Sequence, residues 1–141
     1  MSYSLWNLCN RSDSETLSDA LRRAGFVIRN VDTSEVDSGA ALRARFGENL
    51  GFSAGGWDSF ADEMWNKLFS DDDEEDKIAL VWDNADHVAE RALGALLQTV
   101  DILTDVGRQA YADQIQVITF LMGDGPSFDA VDINDMFPGL D

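Results

Sequence analysis

The chain has 141 residues, 45% of them apolar, and a formal net charge of −17 from 27 acids and 10 bases; it is long enough for one domain that buries about two-thirds of its unfolded surface. That charge argues against a nucleic-acid backbone or an anionic membrane surface as partner, because both are bound by clustered Lys and Arg. No apolar run approaches the roughly 18 residues of a membrane span, no secretory pattern opens the chain, and a single cysteine, Cys9, leaves no internal disulfide, so the expectation is a soluble, cytoplasmic protein.

Residues 1–13 show no clear periodicity. Ser14 to Ala24 reads as a short helix, with Leu17, Leu21 and Ala24 on one face and Gly25 as its stop. Phe26 to Val31 is a β-rich run and the first expected strand. Asp37 or Ser38 can cap a helix reaching about Leu50, with Ala41, Leu42 and Phe46 inward and Gly51 as its stop. After the loop Ser53–Gly56, Trp57 to Phe69 forms a strongly amphipathic helix with Phe60, Met64 and Leu68 in one apolar stripe. Ser70 to Asp76 is an acidic linker. Ile78 to Trp82 is an almost continuous apolar run, as expected of a strand buried on both faces. Residues 85–108 are helical, as one helix or as two pieces broken near Gly94, and Ile115 to Met122 is the last strand. Alternating strands and helices assemble as an α/β fold, a small three-stranded parallel sheet flanked by helices. Residues 1–25 then form an N-terminal extension with a helix, 26–122 the main domain and 123–141 an acidic tail.

Catalytic and metal chemistry finds little material. His87 is the only histidine, so any Ser–His–Asp or Cys–His site must use it; a surface histidine in the first turn of a helix is the plainer reading. Cys9 has no cationic neighbour in sequence to activate it, and one Cys with one His is no zinc set. The acidic run from Asp71 places Asp76 sixth and Trp82 twelfth, and the tail from Asp129 places Asn134 sixth. Neither supplies the glycine and glutamate of a calcium loop. Phosphate-cradling glycine motifs are missing too. The expectation is a protein that is not an enzyme and holds no metal or cofactor.

Charge is concentrated: residues 1–50 carry a net −1 and residues 51–141 a net −16. Repulsion of that size is offset by a cationic partner or by a salty medium, and with only two lysines among the ten bases the balance also suits salt adaptation. In the helix from Trp57, Asp58 and Asp62 stand four residues apart on the outward face, behind Gly55 and Gly56. Acids in the first turns of a helix satisfy the macrodipole whatever their function. The functional reading is a rigid carboxylate pair presented to a cationic pocket.

This stretch and its context resemble the barstar family, small intracellular inhibitors of guanyl-specific ribonucleases. Trp57-Asp58-Ser59-Phe60 matches the family's aromatic-or-Leu, Asp, small, apolar opening of a helix, which follows a strand, a helix and a glycine-containing loop. Asp62 takes the place of a second Asp four residues on. Ile78 to Trp82 matches the next aliphatic strand with its terminal Trp, and residues 88–108 and 115–122 match the closing helix and strand, so the resemblance spans about residues 26–122. It implies that Asp62 enters a ribonuclease active site in place of a substrate phosphate, with Asp58 beside it and Trp57, Gly56 and Ala61 at the same interface. Glu90 is implied as a further acid, under an alignment anchored on Leu96-Leu97-Gln98. Ser53, Ala54 and Gly56 replace the family's usual loop residues, Ala61 replaces an aromatic, and Val81 replaces an acid. The implied function is that of an immunity protein, a monomer blocking a secreted or toxin ribonuclease one to one. The competing reading is an acidic interaction module that binds a basic protein without inhibiting a ribonuclease.

Overall fold

The apolar runs at residues 78–82 and 117–122 form the two central strands of one parallel sheet. The computed structural model describes residues 6–68, 76–125 and 128. In chain order the elements are β1 (Trp6–Asn10), α1 (Ser14–Arg23), β2 (Val27–Asp32), α2 (Gly39–Leu50) and α3 (Trp57–Leu68), then β3 (Lys77–Asp83), α4 (Ala85–Arg91), α5 (Leu93–Ala112) and β4 (Gln116–Gly123). The strands lie in the order β1-β4-β3-β2, each pair parallel. The expected acidic linker lies, but for Asp76, outside the described residues; so does the expected tail after Gly125, except Phe128.

The sheet has four strands, not three. Residues 6–10, without clear periodicity in sequence, pair with β4 from Trp6↔Thr119 to Asn10↔Gly123. The strand is five residues long and carries two asparagines, which are poor strand formers; its pairing with β4 sets its conformation, not its own propensity. Asn10 leaves the sheet at once: its side chain accepts a hydrogen bond from Ser12 N and caps the 3-10 turn Arg11–Asp13.

The two central strands alternate strictly between two cores. Ile78, Leu80 and Trp82 of β3, with Val117 and Leu121 of β4, meet α2, α3, α4 and α5. Ala79 and Val81, with Ile118, Phe120 and Met122, meet α1 through Leu17, Ala20 and Leu21. One helix therefore covers one face and four cover the other, which is why both strands read as continuous apolar runs. The apolar stripe of α3 goes where its spacing directs it: Phe60, Met64 and Leu68 are each 0% exposed. Burial on that scale contributes about 1.5–3 kcal/mol per side chain.

Helix boundaries follow local chemistry. Ser38 caps α2 by accepting from Ala41 N at 3.1 Å, and Gly51 closes it in the left-handed region at φ 87°. The fourth helical segment is in two pieces broken near Gly94, at Ala92, whose φ of −151° and ψ of 59° are not helical. Asn84 starts α4 from a left-handed φ of 60°, a conformation asparagine tolerates better than most residues.

Candidate partner-binding face

The chain reaches α3 through a tight reversal. Gly47 O accepts from both Gly51 N (2.8 Å) and Phe52 N (2.9 Å), which folds the end of α2 back on itself. A Cβ on Gly47 would lie 2.3 Å from the Phe52 carbonyl oxygen, so only glycine fits. Beyond this corner, Ser59 Oγ donates to Gly56 O at 3.2 Å and accepts from Gly56 N at 3.3 Å. That exchange satisfies an amide which the first turn of α3 leaves unpaired. Gly55 and Gly56 face open space: a Cβ at either would meet nothing within 4 Å.

Trp57 anchors the first turn. Its ring packs edge to face on Phe60 with centroids 5.5 Å apart, and the Arg43 guanidinium lies 4.7 Å from the indole centroid. Phe60 continues the aromatic chain to Phe46 at 5.6 Å, and Phe46 reaches Trp82 at 5.0 Å. This ladder ties α3 to α2 and the sheet, so the outward residues of α3 project from a rigid base.

Asp58 and Asp62 are both exposed, one turn apart, and neither makes an ion pair or hydrogen bond with another described residue. Asp62 stands at the lip of an open cleft of about 380 Å³ between α3 and α5, lined from α3 by Ala61, Asp62 and Trp65. From α5 come Ile102, Asp105, Val106 and Gln109. An apolar floor with a carboxylate on each bank suits a side chain that has an apolar stem and a cationic head.

The structure gathers the sequence-derived residues unequally. Gly56, Trp57, Asp58, Ala61 and Asp62 share the first turns of α3 and the loop before it. Glu90 is exposed on α4 and is not among the residues lining the cleft. The acid opposite Asp62 is Asp105, which the sequence reading missed together with Gln109. Asp101 and Asp105 repeat the four-residue spacing of Asp58 and Asp62. What the sequence lacks is any sign that α5 lies alongside α3.

Val81 is buried in the apolar layer under α1, where an unpaired carboxylate would be costly to desolvate. Ala54 is half-buried and packs on the main core, while Ser53 is exposed.

The other candidates are disposed as follows. His87 occupies the first turn of α4, and its Nδ1 is enclosed without a hydrogen-bond partner among the described residues. Cys9 is buried in β1, and burial, assisted by Asp13, pushes its thiol up to about 11. Among the described residues no group of three or more His, Cys, Asp or Glu is arranged to hold a metal ion, and no helix is long and apolar enough to cross a membrane. Compared with known proteins, the chain matches no family model and no curated sequence.

Proposed function

We propose that this protein is a proteinaceous inhibitor that blocks a ribonuclease active site, with Asp62 standing in for a substrate phosphate and Asp58 beside it. The carrying observation is Asp62 itself: exposed, without an ion pair among the described residues, and set at the lip of a cleft whose opposite bank is Asp105. A ribonuclease active site gathers Arg, Lys and His around the phosphate, and a rigid anionic face complements it in sign and geometry. The aromatic ladder under α3 holds the carboxylates in place before contact, which limits the ordering cost of binding. Gly56 and Trp57 border the face, and the open space before Gly55 and Gly56 leaves room for another backbone. The order strand, helix, helix, strand, helix, helix, strand from β2 to β4 follows the barstar resemblance except for the additional short helix α4. On this reading the protein is a cytoplasmic immunity protein, acting as a monomer on one molecule of a secreted or toxin ribonuclease.

The test is titration of a guanyl-specific microbial ribonuclease at low and moderate salt with the wild type and with Asp62→Ala. Stoichiometric inhibition that collapses in the variant supports the proposal. No inhibition at any salt refutes that target class. The alternative, an acidic module binding a basic protein without inhibition, is favoured by the second pair of acids on α5. It predicts equal losses for substitutions at Asp58, Asp62, Asp101 and Asp105, where the inhibitor reading predicts a focus at Asp58 and Asp62.

A further inference from the structure

At the carboxyl end of the sheet, one side chain ties three strands together. Arg11 follows β1 directly. Its Nε donates to Asp83 Oδ1 at 3.0 Å, at the end of β3. Its Nη2 donates to Asn84 Oδ1 at 2.6 Å and Asp86 Oδ1 at 3.2 Å, and its Nη1 pairs with Asp124 just beyond β4. Burial acts against the charge, but the hydrogen bond to Asp83 and the nearby charges of Asp83, Asp124 and Asp86 outweigh it and hold the guanidinium above its ordinary pKa. Asp86 is itself fixed by Asp124 N at 3.3 Å. The planar fork of arginine is the one side chain that can serve so many acceptors at once.

Beyond Arg11, β1 buries little, although Asn10 Nδ2 donates to Gly125 O at 3.5 Å. Among the described residues it is an edge strand of five residues paired only with β4, and Trp6 at its start is 42% exposed. Its one fully buried side chain is Cys9, at 1% exposure. The sheet from β2 to β4 has its own ladder and its own large core, to which β1 adds only the half-buried Leu8. Elements with few buried contacts open locally, at a free energy below that of global unfolding.

We propose that β1 is a separately openable strap on the β4 edge, and that Arg11 is its latch. Release of the guanidinium frees β1 and bares the outer edge of β4 while β2, β3 and β4 remain folded.

Cys9 is the built-in reporter, since it is the sole cysteine and its thiol becomes reactive only when β1 leaves the sheet. The experiment measures the rate at which dithiodipyridine labels Cys9 in the full chain as urea increases, beside global unfolding followed by far-ultraviolet circular dichroism. The expected result is labelling of the wild type with a urea dependence much shallower than that of global unfolding, because little surface is exposed on local opening. Arg11→Gln should raise the rate without urea at least tenfold with the dichroism spectrum unchanged, and Arg11→Lys, which keeps the charge without the fork, should fall between. Labelling of the wild type with the full urea dependence of global unfolding would overturn the strap. An Arg11→Gln rate equal to that of the wild type would overturn the latch. If Arg11→Gln does not fold, the wild-type urea dependence and Arg11→Lys decide on the same criteria.

Discussion

The indole nitrogen of Trp82 donates to Thr33 Oγ1 at 2.7 Å, and both residues are 0% exposed. Thr33 Oγ1 in turn lies 3.2 Å from the carbonyl oxygens of Asp83 and Asn84, and Thr33 N donates to Asp83 O at 3.1 Å. The largest side chain of the core is thereby satisfied from the loop that follows β2. Thr33→Val keeps the shape but leaves the buried indole N–H without an acceptor, so it should lower unfolding free energy by about 1–3 kcal/mol. Urea denaturation with an unchanged slope would check it; a loss below about 0.5 kcal/mol would mean the indole finds another partner.

Asp62→Ala should separate binding from folding. An unpaired exposed carboxylate with Asp58 four residues away contributes nothing to the free helix, and its removal should leave stability unchanged or raise it by a few tenths of a kcal/mol. Against a cognate ribonuclease the same change should cost about 2–5 kcal/mol of affinity, because it strands a buried cation in the partner. Asp105→Ala should cost less, since on the proposed reading Asp62 is the charge that enters the active site. Isothermal titration with all three proteins measures the order.

Glycines on either side of the α2–α3 corner should behave oppositely. Gly47→Ala forces a methyl to within 2.3 Å of the Phe52 carbonyl oxygen and should destabilise the fold by about 1–3 kcal/mol. Gly56→Ala meets open space in the free protein and should leave the melting temperature nearly unchanged while weakening the complex. Equal melting temperatures for the two variants would contradict the corner geometry.

Arg43 stacks on Trp57 with its Nε enclosed and unpaired, so its hold on this helix is through the ring and its stem. Arg43→Ala should lose about 0.5–1 kcal/mol and expose the indole. A larger quenching constant by acrylamide, read in a variant with the other three tryptophans replaced by phenylalanine, would show it.

Asp32 accepts from Asn84 Nδ2 at 2.6 Å and Ser34 N at 3.0 Å. Burial is the largest single influence and raises its pKa, but these hydrogen bonds and the charge of Arg45 together prevail, and the net effect is a lowered pKa. A carboxyl with a depressed folded pKa stabilises above its unfolded value near 3.9 and loses that contribution as pH falls through the folded value. The group is exposed, and solvent screening holds the effect to about 0.5 kcal/mol. Asp32→Asn should therefore be less stable than the wild type at pH 6, with the difference shrinking as pH falls through the folded-state pKa, as followed by urea midpoints.

The elements from α1 to β4 were legible because their signals are local: caps at Ser38, a stop at Gly51, a stripe of Phe60, Met64 and Leu68, and runs too apolar for an exposed strand. Strand β1 was not, because only its register with β4 makes a strand of Trp6–Asn10. Gly94 announced the break in the fourth helical segment, which falls two positions earlier at Ala92, a residue type that announces none. At the candidate site, Asp58 and Asp62 could be read from one helix. Asp105 could not, since its place across from Asp62, 43 residues earlier in the chain, depends on how two helices pack.

The uneven covering of the sheet has an electrical consequence. Helix α1, alone on its face, carries two acids and two bases, whereas α3 and α5 on the other face together carry five acids and two bases. Among its described helices the molecule thus carries its excess negative charge on the four-helix side. In the field of a cationic partner it feels a torque as well as an attraction, and it turns that side forward before the surfaces touch.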